Sequence, residues 1–111
     1  MQKMKLLSSL EEILLLTILS LGKNAYGVTI RRKVSEVTEK DWSIGAIYDP
    51  LYRLEEKGYV RSELSDPVAE RGGRSKRLFF VTTEGEEALR DHQKVRNELN
   101  SGAAGFIFNE S

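Results

Sequence analysis

The chain has no cysteine and a single histidine, His92. Disulfides and thiolate metal sites are therefore excluded, and one imidazole cannot build a histidine cluster. No apolar run reaches the roughly 20 residues that a bilayer-crossing helix needs. Lys3 and Lys5 precede an apolar stretch, as in a secretory leader, but Glu11 and Glu12 interrupt it and no small-residue cleavage site follows. The expected location is the cytoplasm, away from any membrane. Enzyme chemistry also lacks its parts. No nucleophile–base pair is visible, and Gly72-Gly73 lies between two predicted strands rather than between a strand and a helix, where a phosphate-cradling loop belongs. The paired acids Glu55-Glu56 and Glu86-Glu87 read as solvated helix faces. We expect no enzyme, no metal and no cofactor.

A surplus of charge is missing too, with 17 basic and 17 acidic residues among 111. The total hides a division. Residues 23–77 hold 12 basic and 9 acidic residues, whereas residues 78–111 hold 3 and 6. Between Arg71 and Arg77 there are four positive charges and no acid. A polyanion responds to the local field more than to the sum. A chain of this length has room for one domain with one modest core.

What is present is a series of helices. Ser9-Leu10-Glu11-Glu12 has the form of a capping box opening a first helix that runs to about Leu21, with Gly22 ending it. Its apolar residues, from Leu10 through Leu21, cover far more than one stripe, so the helix should be buried on several sides. So small a chain can hardly cover it alone, which points to a dimer. A second helix begins near Tyr26-Gly27 and ends near Val37 or Thr38, with Tyr26, Ile30, Val34 and Val37 as its core side and Arg31, Arg32 and Lys33 facing elsewhere.

The third helix, Ser43 to Lys57, has Ser43 as N-cap and Gly58 as a left-handed stop. Trp42 and Ile47 are spaced as a hydrophobic staple. Ile44, Ile47, Leu51 and Leu54 form an apolar stripe, and the opposite side carries Gly45, Ala46, Asp49, Tyr52 and Arg53. The small first turn suits a helix end that approaches base edges in a major groove, with Tyr48, Asp49 and Tyr52 nearest. After Gly58 the period changes to alternation. Tyr59 to Ser65 and Lys76 to Thr82 read as two strands of a hairpin. The long loop between them carries Gly72-Gly73 flanked by Arg71 and Arg74, which can lie on a phosphate backbone. A last helix follows Thr82 or Thr83 and should run to about Asn100. Its residues Ala88, His92, Val95 and Leu99 form a seam that suits a partner helix, with Leu89 beside it. The tail after Asn100 is glycine-rich, and Phe106, Ile107 and Phe108 are too apolar for a free end.

Three helices and a basic-tipped hairpin make a mainly α winged helix–turn–helix with a C-terminal dimerisation helix. We divide it into residues 1–82, the DNA-binding domain, and residues 83–111, the dimerisation helix and tail. The expected DNA-binding residues are Arg31, Arg32, Ser43, Gly45, Ala46, Tyr48, Asp49, Tyr52, Arg53, Arg71, Gly72, Gly73, Arg74 and Lys76. The expected dimer interface is Leu15, Leu19, Leu89, His92, Val95 and Leu99. The near-zero net charge and the exposed Asp49 leave a rival, a winged helix that binds protein and not DNA.

Over about Leu10 to Leu89 the sequence also resembles a known family. The resemblance rests on Ala25-Tyr26-Gly27, on Ser43-Ile44-Gly45-Ala46-Ile47-Tyr48, and on Arg53-Leu54-Glu55-Glu56-Lys57-Gly58-Tyr59-Val60. It also rests on the run Glu70 to Arg77 and on Val81-Thr82-Thr83-Glu84-Gly85. In order, these resemble the PadR family of transcriptional regulators in its short form. The resemblance implies a homodimeric DNA-binding protein, usually a repressor. It also implies that some relatives hold small aromatic or drug-like effectors near the dimer interface; here an effector stays open and unnamed, because the only tryptophan precedes the third helix. The chain departs from the family in placing Asp49 directly after Tyr48, with Pro50 one position later, which predicts a bend in the third helix.

Overall fold

The computed structural model describes residues 4–65 and 76–107, with Phe106 and Ile107 described by their backbone alone. Helix α1, Ser9–Leu21, starts one residue earlier than its sequence signal implies. Ser8 is the N-cap, accepting from the Glu11 N–H at 3.1 Å while Glu11 accepts from the Ser8 N–H at 2.8 Å. Glu11, not Glu12, thus closes the box, and Glu12 is left free to turn inward. Lys57, beyond the end of the third helix, also donates to the Glu11 carboxylate. Burial works against that carboxylate's charge, but Lys57 and Ser8 outweigh it and hold its pKa below the ordinary range.

A short 3₁₀ turn, Gly22–Asn24, leads to Ala25, whose carbonyl accepts from the Phe79 N–H at 2.8 Å. The chain between the first two helices is thereby bound to the hairpin. Helix α2, Gly27–Thr38, is opened by Thr29, whose hydroxyl accepts from the Tyr26 N–H at 3.0 Å. It ends at Glu39, which takes left-handed φ 55°. The next residues are held tightly. Trp42 donates from its backbone N–H to Ser35 Oγ at 3.2 Å and from Nε1 to Thr38 Oγ1 at 2.9 Å, and its carbonyl accepts from Arg31 at 2.9 Å.

Helix α3, Ile44–Glu56, begins at the expected cap. It runs through Pro50, which is buried and leaves the Ala46 carbonyl without its helical donor. Its end is a Schellman motif: Gly58, at φ 82°, donates to the Glu55 carbonyl and Tyr59 to that of Leu54, both at 3.0 Å. Strands β1, Val60–Leu64, and β2, Arg77–Val81, pair antiparallel with Val60 opposite Val81 and Leu64 opposite Arg77. Thr82 joins them to the last element. Its hydroxyl donates to the Gly58 carbonyl at 2.6 Å and accepts from the Gly85 N–H at 3.0 Å, capping helix α4, Thr83–Ile107.

One core gathers these elements. Leu14, Leu15 and Ile18 of α1, Ile30 and Val34 of α2, Ile47, Leu51 and Leu54 of α3, Val60, Phe79 and Ala88 are buried together. Leu7 joins them from the segment before α1. Three expectations change. Val37 is 65% exposed and Ile44 45% exposed, because each sits at a helix end beyond the reach of the facing helix. Helix α4 continues past Asn100 through Gly102 and Gly105, glycines whose cost in a helix, about 1 kcal/mol each, does not stop it. Among the described residues, no helix is long and apolar enough to cross a membrane.

Glu39 stores strain, because a left-handed residue with a Cβ costs about 1 kcal/mol more than glycine there. Glu39→Gly should stabilise the protein by about 0.5–1 kcal/mol. Thermal unfolding would then show a midpoint higher by a few degrees; a lower one would show that Glu39 contributes more than its backbone.

Candidate nucleic-acid interface

The inner side of α3 is fixed in the core, and its outer side is open. Ser43, Gly45, Ala46, Asp49, Tyr52 and Arg53 are all exposed. Ile44, expected in the core, joins this surface. Its tip has no bulk apart from Ile44, since the residues that follow are Gly45 and Ala46. The predicted outer face is therefore assembled in one place, with one exception.

Tyr48 is half-buried. Its ring stacks on Tyr52, with centroids 5.7 Å apart and 26° between planes, and meets Phe79 at 6.3 Å. Its hydroxyl lies against Gly27, where a Cβ would stand 1.9 Å from the oxygen. Tyr48 thus sits in a notch at the start of α2, and Tyr52 is the phenol that faces outward. Burial pushes the Tyr48 phenol above its ordinary pKa, Tyr52 adds to this, and Arg77 opposes it, so the group is neutral at physiological pH.

The basic residues divide. Arg31 is largely engaged within the chain, donating to the Trp42 carbonyl and pairing with Asp41 at 3.4 Å. Arg32, one position on, is exposed. Lys76 lies over the Tyr26 ring, its Nζ 3.8 Å from the centroid, at the mouth of the hairpin where Ser65 donates to its carbonyl at 2.7 Å. Arg77, exposed at the start of β2, donates to Ser62 Oγ at 3.0 Å, and Ser62 in turn donates to Glu55 at 2.7 Å. Arg71, Gly72, Gly73 and Arg74 lie outside the described residues. Sequence reasoning missed the role of Trp42, which ties the end of α2 to the start of α3.

The residues expected at a dimer interface also divide. Leu15 is fully buried in the protomer's own core and cannot face a partner, which corrects the expectation from the helix's all-round apolarity. Leu89 packs at the edge of that core. Leu19, 48% exposed, and Leu99, 68% exposed, are open. Val95 and Leu99 line an open groove with Met4, Lys94 and Glu98. His92 faces inward, its Nδ1 accepting from the Leu7 N–H at 3.2 Å.

The notch can be tested by a double-mutant cycle. Gly27→Ala places a methyl group where the Tyr48 phenol stands and should destabilise the fold by about 1–3 kcal/mol. In a Tyr48→Ala background the same change should cost much less, since the obstruction is gone. Equal losses in both backgrounds, read by thermal or denaturant unfolding, would show that the ring does not set the fit.

With the geometry described, the chain can be placed among known proteins. No curated protein matches it. Its fold is similar to a PadR-like transcriptional regulator of Bacillus cereus strain ATCC 14579, at TM-score 0.72 and 21% identity over 91% of this chain and 93% of that one. It is similar to a PadR-like transcription factor of Bacteroides fragilis, at TM-score 0.69 and 23% identity over 88% and 89%. A PadR family regulator of Clostridium difficile R20291 is similar at TM-score 0.67 and 26% identity over 87% and 97%. The family described as transcriptional regulator PadR-like matches residues 15–91, more than half of the chain and all of the winged helix from mid-α1 into α4. The winged helix–turn–helix read from the sequence is the fold observed, and the chain belongs to the PadR-like family of transcriptional regulators.

Proposed function

We propose that the protein is a sequence-specific transcriptional repressor that binds a roughly palindromic operator as a homodimer. The observation that carries this reading is the outer face of α3. It is small at its tip and free of packing, while its inner face is locked into the core. A small first turn is what a helix end needs to approach base edges in a groove. In this reading residues 1–82 bind DNA, and residues 83–111 join two copies.

Two α3 helices would enter successive major grooves about 34 Å apart. Gly45 and Ala46 allow close approach, Ala46 can touch a thymine methyl, Asp49 can accept from a cytosine amino group, and Tyr52 and Arg53 reach the flanking positions. Arg32, the arginines Arg71 and Arg74 of the wing, and Lys76 would meet phosphates, which position the protein without reading sequence. Ser43 serves by capping α3, and Arg31 by holding Trp42. Gly72 and Gly73 let the wing backbone lie close to the duplex. Occupying a promoter would then exclude polymerase. This mechanism needs no effector, and the place for one stays open and unnamed. The homodimer is supported by the exposure of Leu19 and Leu99 and by the open groove that Val95 and Leu99 line.

Footprinting on genomic fragments should protect a dyad. The double change Arg71→Ala and Arg74→Ala should weaken specific and random duplexes alike, and leave the unfolding temperature nearly unchanged. It should also flatten the salt dependence. Each lost phosphate contact lowers the log–log slope by about 0.9, so a dimer losing two from each wing changes by up to roughly 3 to 4. Unaltered affinity and slope would favour the protein-binding reading, which the net charge of zero supports.

Leu99→Asp should give folded monomers in sedimentation at micromolar concentration, because Leu99 is open in the protomer. Leu15→Asp should instead unfold the chain, since it buries an unpaired charge. Wild-type protein that sediments as a monomer would remove the homodimer from this account.

A further inference from the structure

Among the described residues, helix α4 meets the winged helix between Gly85 and Arg96. Near its start Gly85 crosses the turn before β1 so closely that a Cβ would stand 2.2 Å from the Tyr59 carbonyl oxygen. Ala88, fully buried, follows one turn later. A third attachment is polar. Glu12 of α1 is only 7% exposed, an unusual burial for a carboxylate. Its Oε1 lies 2.8 Å from Arg96 Nη1 and 3.8 Å from His92 Nε2, both on α4.

The segment before α1 closes the same joint. The Lys5 N–H donates to Asp91 at 3.0 Å, Lys5 Nζ pairs with Glu87 at 2.9 Å, and the Leu7 N–H donates to His92 Nδ1. With Nδ1 accepting, the N–H of a neutral His92 is at Nε2, the nitrogen 3.8 Å from Glu12. Glu12, His92, Arg96, Lys5, Glu87 and Asp91 are thus the charged and titratable groups of one joint. Beyond Arg96 the next four residues, Asn97 to Asn100, are exposed.

Two anchors fix the direction of a rod. From Ala88 to Arg96 is about 12 Å along the helix, and from Ala88 to Ile107 about 28 Å. Loss of the second anchor leaves the rod hinged at Gly85 and Ala88. A swing of about 10° would then move its far end by about 5 Å, more than one base-pair rise of 3.4 Å.

We propose that Glu12 is a positioning residue that, through Arg96 and His92, fixes the angle at which α4 leaves the winged helix and so sets the spacing of the two half-sites that the dimer accepts. The inference rests on the homodimeric DNA-binding reading given above. An ion pair with one partner buried and the other half exposed contributes little net stability and is better suited to fixing one arrangement among several. That is the property needed at this joint. Glu12 touches no base, so its effect on recognition is geometric.

The experiment is selection of duplexes from a random pool by the full-length chain, followed by affinity measurements on single half-sites and on paired half-sites with varied spacers. Wild-type protein should select one spacing. Glu12→Gln and Arg96→Met should select the same half-site over a broader range of spacers and remain dimeric in sedimentation. If about one molecule in ten then holds the required angle, affinity for the preferred spacing falls about tenfold, while single half-site affinity is unchanged. Arg96 is half exposed, so Arg96→Met decides the matter should the Glu12 variant fail to fold. Variants that are dimeric and keep the wild-type spacing would overturn the positioning role. Wild-type protein that selects no paired half-sites would overturn the underlying reading, and this proposal with it.

Discussion

The burial of Phe79 is the constraint on which the rest of the architecture depends. It is fully buried in the centre of β2, its N–H holds the Ala25 carbonyl, and its ring meets Tyr48. One residue therefore joins the hairpin, the passage from α1 to α2, and the inner side of α3. Truncating such a residue typically costs about 3–5 kcal/mol, a large part of the roughly 5–15 kcal/mol that holds a small domain together. The open face of α3 is available to a partner because the opposite face has no freedom.

Charge is used in two ways. Arg31, Lys57, Lys76 and Arg96 are engaged within the chain: on a carbonyl, a cap, a ring and a buried carboxylate. Their positive charge is partly spent in holding elements together, so less of it is free on the surface than the count of bases suggests. The local excess of base lies instead around the hairpin, and the acids gather on α4. A domain divided in this way can present a favourable field to a polyanion at one end while its other end repels the same polymer.

Local patterns made most elements legible. The periods of α2, α3 and the hairpin, the Ser43 cap, the Gly58 stop and the Thr82 link are all encoded within a few residues of where they act. What escaped depends on contacts between distant parts of the chain. Residues 4–7 carry no pattern because their bonds to α4 are made by backbone N–H groups and one lysine. Glu12 looks like the closing acid of a capping box, a place that Glu11 takes while Arg96 and His92 face Glu12. Tyr48 looks like an outward residue until Gly27 opens a notch for it. Leu15 looked available to a partner because a helix apolar on every side does not reveal which side its own domain covers. The face of α3 was readable because exposure there follows from helical period alone; whether it touches DNA is a question of partner, which no spacing answers.

The joint between the N-terminal segment and α4 has a consequence for how the molecule forms. Leu7 and His92 are 85 residues apart in sequence, so their contact closes a long loop. The entropy of closing a loop grows slowly with its length, but it must be met before the contact gives anything back. The three helices and the hairpin can assemble through shorter separations, so the N-terminal segment is expected to dock after them. A joint made by a few hydrogen bonds and ion pairs at the edge of the core is expected to open locally more readily than the buried centre. Slow amide exchange should therefore protect the centre of α3 and β2 far longer than the Leu7 amide. Helix α4 is thus tied to the winged helix partly by contacts made between distant parts of the chain.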